Sequence, residues 1–85
     1  MLATIKPARL KKLFTGISTP LNGTDMRLLR WLSIFNAMVN INDLSMPGVA
    51  IRKSNPGHRV NVDLLGTFHI VLKEDKVSIL SFSKD

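Results

Sequence analysis

The hydrophobic period of this chain changes once, after Ile41, and that change constrains the fold more than any other feature. Before it, apolar residues recur every three to four positions: Leu10, Leu13 and Phe14, then Leu28, Trp31 or Leu32, Phe35, and Met38 or Val39. From His58 onward they recur at every second position, as Val60 and Val62, then Phe68, Ile70 and Leu72, followed by the run Val77 to Phe82. A period near 3.6 buries one stripe of a helix, whereas a period of 2 buries one face of a strand. Helical segments followed by strands predict an α+β domain, with two N-terminal helices packed on a mainly antiparallel sheet.

Local signals place the boundaries. Leu2 to Ile5 is short and apolar enough for a first strand, and Pro7 sits where a helix begins. Ala8 to Phe14 reads as a short amphipathic helix with Arg9, Lys11 and Lys12 on its polar side, ended by Gly16. The stretch from Ser18 to Gly23 is loop by composition, and Thr24 with Asp25 can cap a longer helix to about Val39. Asn42 to Gly48 contains loop breakers, Val49 to Arg52 is one strand, and Ser54-Asn55-Pro56-Gly57 is a turn. Gly66 and Lys73-Glu74-Asp75 divide the remainder into three antiparallel strands. The predicted order is therefore β-α-α-β-β-β-β over a single domain, residues 1–85.

With 85 residues and no cysteine, the chain has no thiolate zinc site and no disulfide framework. A domain of this size buries only about 60–65% of its unfolded surface, so a partner can complete its core. Twelve Lys and Arg against six Asp and Glu give a charge of +6, the balance of a protein that meets phosphate or an acidic surface. The excess is uneven: residues 1–42 hold six basic residues against Asp25 alone, and residues 43–85 hold six against five acids. No apolar run reaches the roughly 20 residues of a membrane span, and Lys6, Pro7 and Arg9 interrupt any leader core. The expectation is a soluble, cytoplasmic protein with no membrane partner.

Four segments carry a family likeness. Ala8-Arg9-Leu10-Lys11-Lys12-Leu13-Phe14, the Arg-bearing second helix, the loop Asn42-Asp43-Leu44 to Met46-Pro47-Gly48 and the strand Thr67-Phe68-His69-Ile70-Val71-Leu72 together resemble the HigB-like toxins of the RelE/ParE superfamily. The likeness is diffuse and spans nearly the whole chain. It implies the toxin of a toxin-antitoxin pair, a ribosome-dependent endoribonuclease that cleaves messenger RNA and is neutralised by an acidic antitoxin. The sequence also departs from the family. Phe68-His69-Ile70 stands where Trp-Arg-Ile is usual, the basic Leu-x-Gly element is replaced by Arg52 to Gly57, and the C-terminal Tyr and His are missing, with Asp85 the sole acid there. Those departures keep a second reading open, a catalytically inactive toxin fold acting as an inhibitor or protein-binding module. Nonspecific nucleic-acid binding through the basic helices is a third.

RNA cleavage without a metal needs a base for the 2′ hydroxyl and cations for the charge gathering on phosphate. His69 and Arg59 are the candidates for that chemistry. Arg52, Lys53 and His58 are candidates for holding phosphate; Arg52, Lys53 and Arg59 could cluster about the Pro56-Gly57 turn, with Lys73 and Lys76 in the next hairpin, and Arg27 with Arg30 offers a second basic surface beside Arg9, Lys11 and Lys12. Each has an ordinary alternative: His69 as an outward polar strand residue, His58 as a loop-end residue and the lysines as solvated rim. The two histidines need not converge. Trp31, Phe35 and Phe14 lie on apolar stripes and read as core rather than as stacking platforms. No metal-ligand spacing and no nucleotide-cradling glycine loop is present, so neither metal nor cofactor is expected. The expected partner is an acidic protein that covers Arg27, Arg30 and Arg59 and is drawn to a free sheet edge, either the C-terminal strand or Val49 to Arg52.

Overall fold

The computed structural model describes residues 1–16 and 22–84, in which two helices pack on a five-stranded sheet. Strand β1 is Leu2–Ile5, helix α1 is Ala8–Thr15 and helix α2 is Gly23–Ala37. A 3-10 turn, Ile41–Leu44, leads into β2, Val49–Lys53, then β3, His58–Val62, β4, Gly66–Lys73, and β5, Lys76–Lys84. The sheet order is β1-β5-β4-β3-β2, antiparallel throughout except that β1 runs parallel to β5. The C-terminal strand is therefore interior. The free edges are β1 and β2, which corrects the first of the two edges expected from sequence.

Helix α1 ends because Gly16 adopts a left-handed φ of 78° and its N–H turns back to the Leu13 carbonyl. Helix α2 is capped by Asn22 rather than Thr24, since the Asn22 side chain accepts from the Asp25 N–H at 2.7 Å, and it ends at Ala37 rather than Val39. The predicted loop from Ser18 onward lies, up to Leu21, outside the described residues. The apolar stripes of both helices meet one face of the sheet: Leu10, Leu13, Leu28, Trp31, Leu32, Phe35 and Met38 pack over Val60, Val62, Phe68, Ile70, Val77 and Ile79. Phe35 meets Phe68 edge-on with ring centroids 5.0 Å apart, and Phe68 meets Phe82 at 4.7 Å.

Phe82 reaches this face only through a bulge. Val77 and Ile79 alternate inward, but the next inward aromatic is three residues on. Register shifts between His69↔Ser81 and Ile70↔Ile79, which leaves Leu80 as the extra residue and returns Phe82 to the core side. Gly66 is the first residue of β4 rather than the turn itself. A Cβ there would collide with the Ser83 carbonyl and stand 2.8 Å from the Phe82 ring.

The turn between β3 and β4 is instead made by Asp63, Leu64 and Leu65, with Leu64 at φ 63° and 81% exposed. A leucine in the left-handed region is strained by about 1–2 kcal/mol, and asparagine tolerates it far better. Leu64→Asn is expected to raise stability by about 1 kcal/mol, seen as a rise of several degrees in thermal midpoint. No rise would show the turn to be relaxed as it stands.

The 3-10 turn is held by Asp43, whose carboxylate accepts from the Val39 N–H at 2.8 Å and the Asn40 N–H at 3.2 Å. These two donors hold its pKa below the usual aspartate range. Because the folded-state value is lowered, the stabilisation is present above the ordinary pKa of aspartate and is lost as pH falls through the lowered one. An NMR titration should show the Val39 and Asn40 amide shifts moving together with a midpoint below that of an unperturbed aspartate. A midpoint at the ordinary value would contradict the cap.

Candidate functional site

The helices cover one face of the sheet, and among the described residues no element covers the other. Side chains alternate along a strand, so the inward set Val60, Val62, Phe68 and Ile70 fixes the outward set as Arg59, Asn61, Thr67 and His69. Register then arranges those residues in rows. Arg52 on β2 pairs with Arg59 on β3, Arg59 pairs with His69 on β4, and His69 pairs with Ser81 on β5. The adjacent row is Ala50, Asn61, Thr67 and Ser83.

Across these rows lies an open groove of about 470 Å³ lined by Ala50, Arg52, Arg59, Asn61, Thr67 and Ser83. The Asn61 amide donates to the Thr67 hydroxyl at 2.8 Å, which fixes the floor of the second row. Neither row holds Phe or Trp, and the one ring in them is the His69 imidazole, so there is no broad platform on which successive bases could stack. Arginine, amide and hydroxyl groups suit the sugar-phosphate backbone instead.

Sequence proximity proves a poor guide to which basic residues cooperate. Arg52, Arg59 and His69 come together, whereas Lys53 and His58 pair with each other on the opposite parity, the side that carries the core. The cluster expected around the Pro56-Gly57 turn is thus divided by the sheet. His58 opposes Ile70, so it lies one residue pair from His69 yet faces the other way, and its Nδ1 is buried with no hydrogen-bond partner among the described residues. His69 is half-buried, and its Nε2 lies 2.6 Å from the Pro56 carbonyl oxygen.

The helical basic surface is also smaller than the sequence suggests. Arg9 grips Asp25 through Nη2 at 2.6 and 2.7 Å, and the Asp25 side chain is only 4% exposed against 60% for Arg9. That guanidinium neutralises a buried carboxylate and is not free for a polyanion. Arg27 donates to the Leu64 carbonyl at 3.0 Å and the Asp63 carbonyl at 3.1 Å, which ties α2 to the strained turn. Arg30 is exposed and, with Arg27, Trp31, Ile34 and Met46, borders a shallow depression on the helical side. Trp31 and Phe35 are buried and Phe14 packs partly buried against the core, as their spacing predicts. Asp85 lies outside the described residues.

Among the described residues no three His, Asp or Glu side chains gather closely enough to hold a metal ion, and no helix is long and apolar enough to cross a membrane.

The two helical arginines are expected to separate in a stability measurement. Arg27→Ala should lower the free energy of unfolding by about 1 kcal/mol through two lost hydrogen bonds, and Arg30→Ala should stay within about 0.5 kcal/mol of wild type. Urea denaturation of the two variants distinguishes these roles, and equal losses would show that the Arg27 contacts carry no stability. Comparison with family models, with characterised proteins and with solved structures yields no match to this chain.

Proposed function

We propose that this protein is a toxin of the HigB-like kind, a cytoplasmic endoribonuclease that binds RNA by its backbone across the open sheet face and cleaves message on the ribosome. The observation that carries the proposal is the row Arg52, Arg59 and His69, aligned by register on the uncovered side of the sheet. Like charges directly opposed across strands destabilise a sheet by up to about 1 kcal/mol, and a bound phosphate reverses that sign. In this reading Arg52 and Arg59 hold the phosphodiester and stabilise the charge that builds on it. His69 takes the proton of the 2′ hydroxyl, the 2′ oxygen bonds to phosphorus and the bond to the 5′ oxygen breaks. The products are a 2′,3′-cyclic phosphate and a 5′ hydroxyl, whose proton comes from water, since His58 faces away from the row.

A second reading rests on that same shortage. Among the described residues the row holds one acid-base group, which also fits an inactive toxin fold that binds RNA or protein without cutting. An acidic antitoxin remains the expected partner in the first reading. Arg59 is on the open face and Arg27 and Arg30 are on the helical side, so a chain covering all three must reach both sides of the sheet.

The readings part on expression. Induction of the wild-type chain should arrest growth and cut translated message, and His69→Ala should slow cleavage by roughly 10²–10⁴-fold, the usual worth of a general base. Arg59→Ala should likewise relieve the arrest. Normal growth at high soluble expression would reject the nuclease and favour the binding module.

A further inference from the structure

We propose that the loop Ser54-Asn55-Pro56-Gly57 is a clamp that fixes His69 as the Nε2–H tautomer, leaving Nδ1 as its basic nitrogen, and that Gly57 is the positioning residue that makes the clamp possible. The catalytic consequence rests on the nuclease reading above. The tautomer rests on geometry alone.

A backbone carbonyl can only accept, so a nitrogen 2.6 Å from the Pro56 oxygen must carry the hydrogen. A neutral imidazole carries one N–H, and placing it on Nε2 makes Nδ1 the lone-pair nitrogen. Among the described residues no side chain hydrogen-bonds His69, so the loop carbonyl is what orients the ring there. In a base-orienter pair this is the place usually taken by a carboxylate. A carbonyl fixes the tautomer without adding a negative charge to a row that must accept phosphate.

The loop reaches His69 because of Gly57. Lys53↔His58 closes the hairpin, and the Ser54 N–H donates to the Gly57 carbonyl at 2.9 Å. Gly57 has φ 78°, and a Cβ built on it would collide with the Ile70 carbonyl and stand 2.9 Å from Val71 Cγ2. The loop therefore lies directly on the β4 backbone at the two residues that follow His69. An L side chain at position 57 meets both a disfavoured φ and a backbone oxygen that cannot move without breaking the ladder. It must lift the loop and take the Pro56 carbonyl away from the ring.

The test reads the imidazole nitrogens directly. A long-range proton-nitrogen NMR correlation on labelled wild-type protein, with His69 assigned through His58→Gln, should show a protonated Nε2 and an unprotonated Nδ1. The opposite tautomer, or a mixture, would overturn the proposal. Gly57→Ala should then give a tautomer mixture. The chemically synthesised Gly57→D-Ala accepts positive φ and directs its methyl away from Ile70, so it should keep the wild-type pattern. Identical spectra for these two variants would also overturn the clamp, and if Gly57→Ala fails to fold, the wild-type and D-alanine spectra still decide. In RNA cleavage, Gly57→Ala should fall by roughly 10²-fold in kcat below the D-alanine variant with little change in KM. A fixed Nε2–H tautomer in a protein that cleaves no RNA would leave the clamp standing and remove the nuclease reading.

Discussion

The edge-to-face contact of Phe35 with Phe68 joins the two layers of this protein, and the character of every other surface follows from it. Phe68 is on β4, the middle strand of the sheet, so anchoring α2 there commits one whole face to the core. Alternation then commits the neighbours. With Phe68 and Ile70 inward, Thr67 and His69 must point outward, and pairing extends the same parity to β3, β2 and β5. The Leu80 bulge belongs to the same constraint. Without that extra residue Phe82 would face solvent, the Phe68–Phe82 contact would vanish and Ser81 and Ser83 would leave the polar rows.

One-sided burial also sorts the charges. Asp25 is neutralised by Arg9 at the helix start, Asp43 is spent on backbone donors, and Glu74 and Asp75 sit in the hairpin between β4 and β5. None of these carboxylates stands in the rows on the open face, where Arg52 and Arg59 oppose each other directly. A surface of mixed sign stabilises a small domain more than a single-sign one, so a row of guanidinium groups with no acidic partner among the described residues is a cost of up to about 1 kcal/mol to the free protein. Such a cost is intelligible where an anion offsets it.

The element order, the helical stripes and the inward and outward sets of β3 and β4 are legible in the sequence, because period and breakers depend on residues close along the chain. What cannot be read there depends on partners far away. Which strand ends at an edge requires knowing that β1 adds to β5 in parallel, and nothing in Leu2 to Ile5 announces that. Lys53 and Arg52 look like one basic pair, yet adjacent strand residues face opposite ways, so only Arg52 joins Arg59. Arg27 reads as a free surface charge, but its partners are the carbonyls of Asp63 and Leu64, more than 35 positions on, and backbone acceptors leave no trace in a sequence. The Pro56 carbonyl against His69 is hidden for the same reason. The signal that points to it is Gly57, a glycine placed at the end of a turn beside the strand it must touch.

The separation of the two histidines is a consequence of the core rather than a local accident. His58 and Arg59 are sequence neighbours on one strand, so no pairing of β3 can put both on the same side. A one-residue slip would carry His58 to the open face, but it would bury Arg59 and Asn61 and expose Val60 and Val62, both now within the core. Losing that apolar burial costs several kcal/mol, far more than a second acid-base group returns to stability. The sequence therefore admits a site with one imidazole and two guanidinium groups, or a site with two imidazoles and no Arg59, and the hydrophobic pattern selects the first. Among the described residues, then, chemistry on this face has one imidazole to draw on, held by a neutral carbonyl, and the groups that could meet an anion beside it are Arg52, Arg59 and the polar row.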